Sequence, residues 1–159
     1  LRFAKMEKVI DMDKFISYLV LEVITWDWDG YPMNRNNYRI YHDPKSDKIT
    51  FVPSGMDQMF GNPTGPLFPG FQGVVARAVL ETPEGRAAYL KRMEEVLRKH
   101  FDVDALNKRL DELQARVQPA LTSINAGLGN GYPPQVQRLR DAIKTRHKSL
   151  LDQLRQVKK

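Results

Sequence analysis

Two carboxylates and a run of amides stand close enough in this chain to form one reacting site. Asp29 is followed by Asn34, Asn36 and Asn37, and Asp57 lies beyond two short runs of strand-forming residues. Phosphoryl transfer needs a set of this kind. One Asp orients or deprotonates the attacking hydroxyl, while an Asn and a second Asp hold a divalent metal whose charge offsets that of the phosphates.

The elements around these residues decide whether they meet. Leu1 to Ile10 reads as one or two helical turns, and Asp11 or Asp13 can cap the helix that follows. Phe15, Ile16, Leu19, Val20, Val23 and Ile24 recur at helical spacing and predict a buried face. That helix ends near Trp26 to Gly30 and delivers Asp27 and Asp29 into a loop. Tyr38 to Tyr41 and Ile49 to Val52 read as strands flanking a turn-rich segment, His42 to Lys48. A hairpin there brings the loop before Tyr38 beside the loop after Val52, so that Asp29, the asparagines and Asp57 become one candidate site.

The remainder reads as scaffold. Asn62 to Gly73, with three Pro and three Gly, predicts a mobile loop, and Gln72 to Leu80 a short helix. Thr82-Pro83-Glu84 is a helix start: N-cap, Pro at the first position, acid in the first turn. Tyr89, Met93, Val96 and Leu97 mark its apolar stripe. From Asp102 or Asp104 another helix turns Leu106, Leu110, Leu113, Val117, Leu121 and Ile124 inward, with Pro119 expected to kink or split it. Ala126 to Pro134 reads as a Gly/Pro linker. Val136, Leu139, Ile143, Leu150, Leu154 and Val157 define a final amphipathic helix. The fold class expected is mainly α with one small β-hairpin, the site lying at the hairpin's mouth.

Composition excludes several classes. The chain has 159 residues, 42% hydrophobic and 28% charged, within the range of one globular domain. The longest apolar run, Phe15 to Ile24, is broken by Ser17, Tyr18 and Glu22, so no transmembrane segment is expected. The absence of cysteine rules out disulfides, thiolate catalysis and Cys-ligated zinc. His42, His100 and His147 lack metal-ligand spacing and read as surface or helix-end residues. Of Trp26 and Trp28, which alternate around Asp27, one is expected to pack and the other to line a pocket.

The net charge of +6 lies entirely in residues 133–159, which hold eight basic and two acidic side chains; the other 132 residues carry 17 of each. The bland account is a solvated helix face with cations near the C-terminus, where the helix dipole favours them. The functional account is a docking surface for an acidic partner or anionic polymer. Few aromatics interleave with the basic residues, so no specific nucleic-acid readout is expected.

The gap from Asp29 to Asn34 equals that between the catalytic Asp and metal-binding Asn of a protein-kinase catalytic loop. Alone, that spacing is a common turn pattern. The combination Asp-Gly-Tyr, then Asn-Asn-Tyr-Arg-Ile-Tyr, then Pro-x-Gly-x-Asp-Gln-x-Phe-Gly is more specific. It resembles the core signature of the spore-coat protein H (CotH) kinases, atypical and mostly secreted or surface protein kinases. The resemblance starts upstream at Val9 to Phe15, continues through Gly73 to Arg77 and Glu84 to Tyr89, and fades after about Phe101.

The resemblance implies a single unit: residues 1–101 as the core of a kinase-like C-lobe and 102–159 as a helical extension. It implies ATP with Mg²⁺ or Mn²⁺, a protein hydroxyl as acceptor, and an extracellular, cell-surface or periplasmic setting for the parent protein. Asp29 matches the family's catalytic Asp, Asp57 its metal-binding Asp, and Asn37 its Asn at the strand start. Asn34 has the kinase-like spacing instead, so the choice among Asn34, Asn36 and Asn37 stays open. Two departures stand out. Gly55 occupies a position where many members carry an additional acid, and no phosphate-covering Gly-rich loop or strand-borne Lys precedes Asp29. The chain thus reads as a C-lobe portion, inactive alone. The alternatives are a non-catalytic surface or coat assembly module, and an anion-binding helical module.

Overall fold

The computed structural model describes residues 2–157. Leu1, placed above in the first helix, and Lys158 and Lys159, counted in the basic segment, lie outside them. The elements run α1 (Arg2–Met6), α2 (Met12–Thr25), α3 (Tyr31–Asn34), β1 (Tyr38–Asp43), β2 (Lys48–Pro53), α4 (Val74–Leu80), α5 (Pro83–Lys99), α6 (Val103–Ile124) and α7 (Ala126–Val157). The chain is mainly helical with a two-stranded antiparallel hairpin.

Helix α2 is the central rod. Asp11 caps it, accepting from the Lys14 backbone N–H at 3.2 Å. Its apolar face is buried as the periodicity requires, with Phe15, Leu19, Val20 and Val23 fully inaccessible. Against it pack Tyr89, Met93 and Leu97 of α5, and Leu150 and Leu154 of α7. The cap of α5 is Thr82, accepting from Gly85 N–H at 3.0 Å, and that of α6 is Asp102, accepting from Asp104 and Ala105.

The hairpin pairs Tyr38 with Pro53 and Asp43 with Lys48. One buried side chain anchors it. Phe51 lies 4.8 Å from Phe15 and 4.9 Å from Tyr31, centroid to centroid, and stacks against Tyr38 at 5.8 Å. Such ring pairs contribute about 0.5–1.5 kcal/mol beyond the area they bury. The segment before α2 adds itself to the β2 edge: Asp11 N–H donates to the Ile49 carbonyl at 2.9 Å, and Ile49 N–H to that of Val9 at 2.8 Å.

Four expectations are corrected. Ala126 to Pro134 is not a linker: α7 begins at Ala126. Asn125 starts it, its Oδ1 accepting from Gly127 and Leu128 N–H at 2.7 and 3.3 Å. Buried Gly129 lets the two helices approach closely, since a Cβ there would run into Thr122. Pro119 does not split α6; it is exposed, so the carbonyl that loses its partner faces water. No residue of α6 is fully buried, because this helix packs mainly on α7, and two helices alone cannot enclose a leucine stripe.

The Pro/Gly loop, finally, is pinned rather than free. Leu67 is buried, its N–H donates to Gln153 Oε1 at 2.6 Å, and its carbonyl accepts from Tyr89 Oη at 2.8 Å.

Candidate functional site

Helix α2 ends at Trp26, in the left-handed conformation (φ 50, ψ 49) that a helix C-terminus usually assigns to glycine. The backbone then doubles back, with Asp27 N–H donating to the Glu22 carbonyl at 2.9 Å. Bulk holds the unfavourable torsion in place. The Trp26 ring rests against Gly65, where a Cβ would collide with it, and the Arg146 guanidinium lies 5.1 Å from the ring centroid. Arg35, Asn37, Gly55 and Phe60, all around the same loops, also have left-handed φ. At the non-glycine positions, backbone strain of this kind costs on the order of 1–3 kcal/mol per residue and persists where surrounding structure enforces it.

From that turn Asp29 projects, half-buried, into a ring of amides. Its Oδ1 accepts from Asn34 Nδ2 at 2.5 Å, and its Oδ2 from both Asn36 and Asn37 Nδ2 at 3.0 Å. The structure therefore does not select one asparagine among three. All three converge on one carboxylate through Nδ2, which leaves their Oδ1 atoms as the ones that could meet a cation. The short helix α3, entered through Pro32, makes this possible by curling the chain so that residues 34–37 return toward Asp29.

The loop after β2 is stitched alongside. Ser54 N–H donates to the Asn37 carbonyl at 3.2 Å, Asn37 Nδ2 reaches the Gly55 carbonyl at 3.4 Å, and Phe60 N–H reaches the Thr25 carbonyl at 2.6 Å. Trp28 Nε1 donates to Gln58 Oε1 at 3.0 Å, tying the residue before Asp29 to the residue after Asp57. Asp57 is exposed and makes no hydrogen bond or ion pair among the described residues; its charge is near enough to act on Asp27. No cluster of three or more acids, histidines or cysteines that could hold a metal exists among the described residues. Mg²⁺ does not need such a cluster: it binds through one or two carboxylates and keeps water and substrate phosphates for its other positions.

Gly55 has φ +66, and a Cβ there would sit 3.0 Å from Asn37 Cγ. A side chain at this position would press on Asn37 and require it to yield slightly.

Two groups central to the site escaped the sequence reading. Glu22 and Asp27 are both fully buried. Their four carboxylate oxygens meet no N–H donor and no cation, and the hydroxyl of Tyr18 lies beside Glu22. Burial pushes the Glu22 carboxyl up to about 8, and the adjacent Asp27 charge adds to the rise. Burial raises Asp27 as well, opposed by a hydrogen bond from Glu22 and reinforced by the charges of Asp29 and Asp57. Glu22 lies four residues after Tyr18 and seven after Phe15, on a buried face of α2, and that spacing was the available signal.

The other missed group is Arg146, fully buried in α7. It donates to the carbonyls of Val23 and Gly65 at 2.5 Å and of Ile24 at 3.2 Å. Burial lowers its guanidinium to about 10. It sits three residues after Ile143 and four before Leu150, in register with the apolar stripe, although it reads in sequence as one more surface cation. Other cations of α7 are paired on the surface: Arg140 with Asp111, Lys148 and Arg155 with Asp152.

Trp28 is the more exposed tryptophan and flanks the site, while Trp26 packs. His42 pairs with Asp47 in the hairpin turn, His100 caps α5, and His147 stacks on Phe101. No helix among the described residues is long and apolar enough to cross a membrane.

Comparison with known proteins agrees with the motifs. The chain is 30% identical over 135 residues to invasin CotH3 of Rhizopus delemar, covering 74% of this chain and 22% of that protein. It is 28% identical over 133 residues to invasin CotH2 of the same organism, covering 74% and 22%. It is 23% identical over 124 residues to the inner spore coat protein H of Bacillus subtilis, covering 73% and 33%. The chain thus spans between about a fifth and a third of the length of these relatives. Residues 2–150 match the family described as CotH kinase protein, a match that continues through α6 and into α7, well past the Phe101 at which the motifs fade. With a match over nearly its whole length, and with the Asp-Gly-Tyr, Asn-Asn-Tyr and Asp-Gln-x-Phe-Gly segments gathered on one face, the chain belongs to the CotH kinase protein family.

Proposed function

We propose that this chain forms the catalytic-loop and metal-binding side of a CotH-type kinase cleft. The whole protein transfers the γ-phosphate of ATP to a protein hydroxyl. Asp29 orients the acceptor hydroxyl and takes its proton. Asp57, with an amide oxygen from Asn34, Asn36 or Asn37, holds Mg²⁺ or Mn²⁺. When bound, the metal supplies positive charge against the phosphates. The observation that carries this reading is the convergence of three asparagine amides on Asp29, in a loop tied through Trp28 and Gln58 to the loop of Asp57. Such preorganisation fixes a carboxylate where a hydroxyl must approach in line.

Residues that cover the phosphates in a kinase have no counterpart before Asp29, so the nucleotide's other wall belongs to the rest of the protein. The names of the relatives, invasins and a spore coat protein, support a surface or coat setting. Arg138 and Lys144 are exposed on α7 and are where an acidic partner would dock. The test is transfer from labelled ATP by the whole protein with Mg²⁺ or Mn²⁺, beside Asp29→Asn and Asp57→Ala. Loss of transfer in both variants, each still folded, supports the reading.

One observation favours a second reading, a scaffold that kept the fold without the chemistry. Gly55 and Asn37 fill the place of the family's additional acid. A folded whole protein that transfers no phosphate with either metal would select it.

A further inference from the structure

The buried acids Glu22 and Asp27 have no part in the scheme above. They lie directly behind Asp29, in the turn that presents it. The Glu22 carboxylate is wedged against the backbone of Gly30, where any Cβ would strike Oε2. Its backbone carbonyl receives Asp27 N–H at 2.9 Å, and Asp27's own carbonyl receives Gly30 N–H at 3.0 Å. The pair therefore touches both ends of the segment that holds Asp29.

Of the groups around the pair, only the Tyr18 hydroxyl favours an ionised Glu22, and burial and the neighbouring acids outweigh it. Tyr18 stands beside Glu22 on α2, and Asp29 and Asp57 add negative charge from the two loops. The nearby cation from α7, Arg146, is spent on the carbonyls of Val23, Ile24 and Gly65. Two carboxylates excluded from water, with no cation between them, cannot both ionise. The Tyr18 hydroxyl can donate to Glu22 alone, so the hydrogen bond that joins the two acids exists only while one of them keeps a proton.

We infer that Glu22 retains a proton and donates it to the Asp27 carboxylate, and that this singly charged pair is a positioning element that locks the Asp27–Gly30 turn and thereby aims Asp29. The positioning role rests on the phosphoryl-transfer reading. The shared proton does not.

Two measurements decide the matter. In the first, the chain is labelled at its side-chain carboxyl carbons and titrated by NMR. The Glu22 resonance is expected to remain that of a protonated acid at neutral pH, well above the ordinary carboxylate range. Titration in the ordinary range overturns the proposal. So does conversion of Glu22 to its ionised form on adding Mg²⁺ at neutral pH, reversed by a chelator, which would make the pair a cation bridge.

In the second, the whole protein's transfer from labelled ATP is followed against pH for wild type, Glu22→Gln and Glu22→Leu. The amide is a permanent donor to Asp27. Glu22→Gln is therefore expected to stay within about threefold of wild type at neutral pH and to lack the fall at alkaline pH that ionisation of Glu22 imposes on wild type. Glu22→Leu leaves Asp27 without a donor and is expected to fall by about tenfold or more at every pH, with KM for ATP little changed. Equal losses in both variants, with an unaltered pH profile, overturn the positioning role. No transfer by wild type overturns the phosphoryl reading and the positioning role with it, while the carboxyl titration still decides the shared proton.

Discussion

The guanidinium of Arg146 closes the C-terminal end of α2 by donating to the Val23 carbonyl at 2.5 Å, across 123 positions of sequence. The same group serves Ile24 and Gly65 and lies over Trp26, the residue whose left-handed turn sends Asp27 to Asp29 into the site. A cation without a carboxylate partner survives here because three carbonyl dipoles surround it.

Arg146→Leu is therefore expected to destabilise the fold by about 3–5 kcal/mol, because several buried carbonyls lose their donor at once. Arg146→Lys is expected to recover less than half of that loss, since an ammonium cannot span three acceptors with a planar fork. Urea unfolding of the three proteins at one pH checks both statements.

Stability should fall as pH rises through the neutral range, and Glu22 is the reason. Its folded value, about 8, lies above the reference 4.5, so the folded state holds a proton that the unfolded state releases. Below 4.5 both states are protonated and the group contributes no difference. Between the two values stability declines, and above about 8 the loss is complete. The total is about 2–5 kcal/mol. Glu22→Gln should match wild type near pH 5 and exceed it by about 1–3 kcal/mol near pH 8. Unfolding midpoints measured across that range provide the comparison.

Asp57 is exposed and unpartnered, so Asp57→Ala should leave the unfolding free energy within about 0.5 kcal/mol of wild type. Under the proposed function, the same substitution should lower transfer by the whole protein about a thousandfold or more. An equal loss of stability and transfer would place Asp57 in the scaffold instead.

Gly55→Asp restores the family's acid in sequence but not in structure. Position 55 is left-handed and its Cβ would press on Asn37. The substitution should cost about 1–3 kcal/mol and should not raise metal-dependent transfer. Gly55→Ala, which carries the strain without the charge, separates the two effects in a denaturation series.

The fold was legible where a single physical signal ruled. The apolar spacing in α2 and α5, the caps Asp11, Thr82 and Asp102, and the turn residues between β1 and β2 each name a local structure with a mechanism. Ala126 to Pro134 misled because its glycines and prolines were weighed by type. Asn125 is a cap and Gly129 a close contact between helices, both consistent with an uninterrupted α7. Of the candidate site, the grouping of Asp29 with its asparagines could be read from the hairpin. Their sharing of a single carboxylate could not, because it depends on α3, a four-residue helix too short to leave a periodicity. Glu22 and Arg146 were hidden for the opposite reason: charged residues are most often on the surface, and only the position of each within an apolar stripe marked it as buried.

Arg146 also sets an order of events in time. During synthesis α2, the hairpin and the loop of Asp57 emerge well before α7. Until residue 146 arrives, the carbonyls of Val23, Ile24 and Gly65 must be hydrated, and the Trp26 turn lacks the guanidinium that lies over its ring. Contacts of such sequence separation form late, because the chain between them must first be closed into a loop. The carboxylate that resembles a kinase's catalytic Asp is thus completed by a helical turn synthesised long after it, and a nascent chain that has not yet reached α7 carries every site residue of the motif without the arginine that helps to aim them.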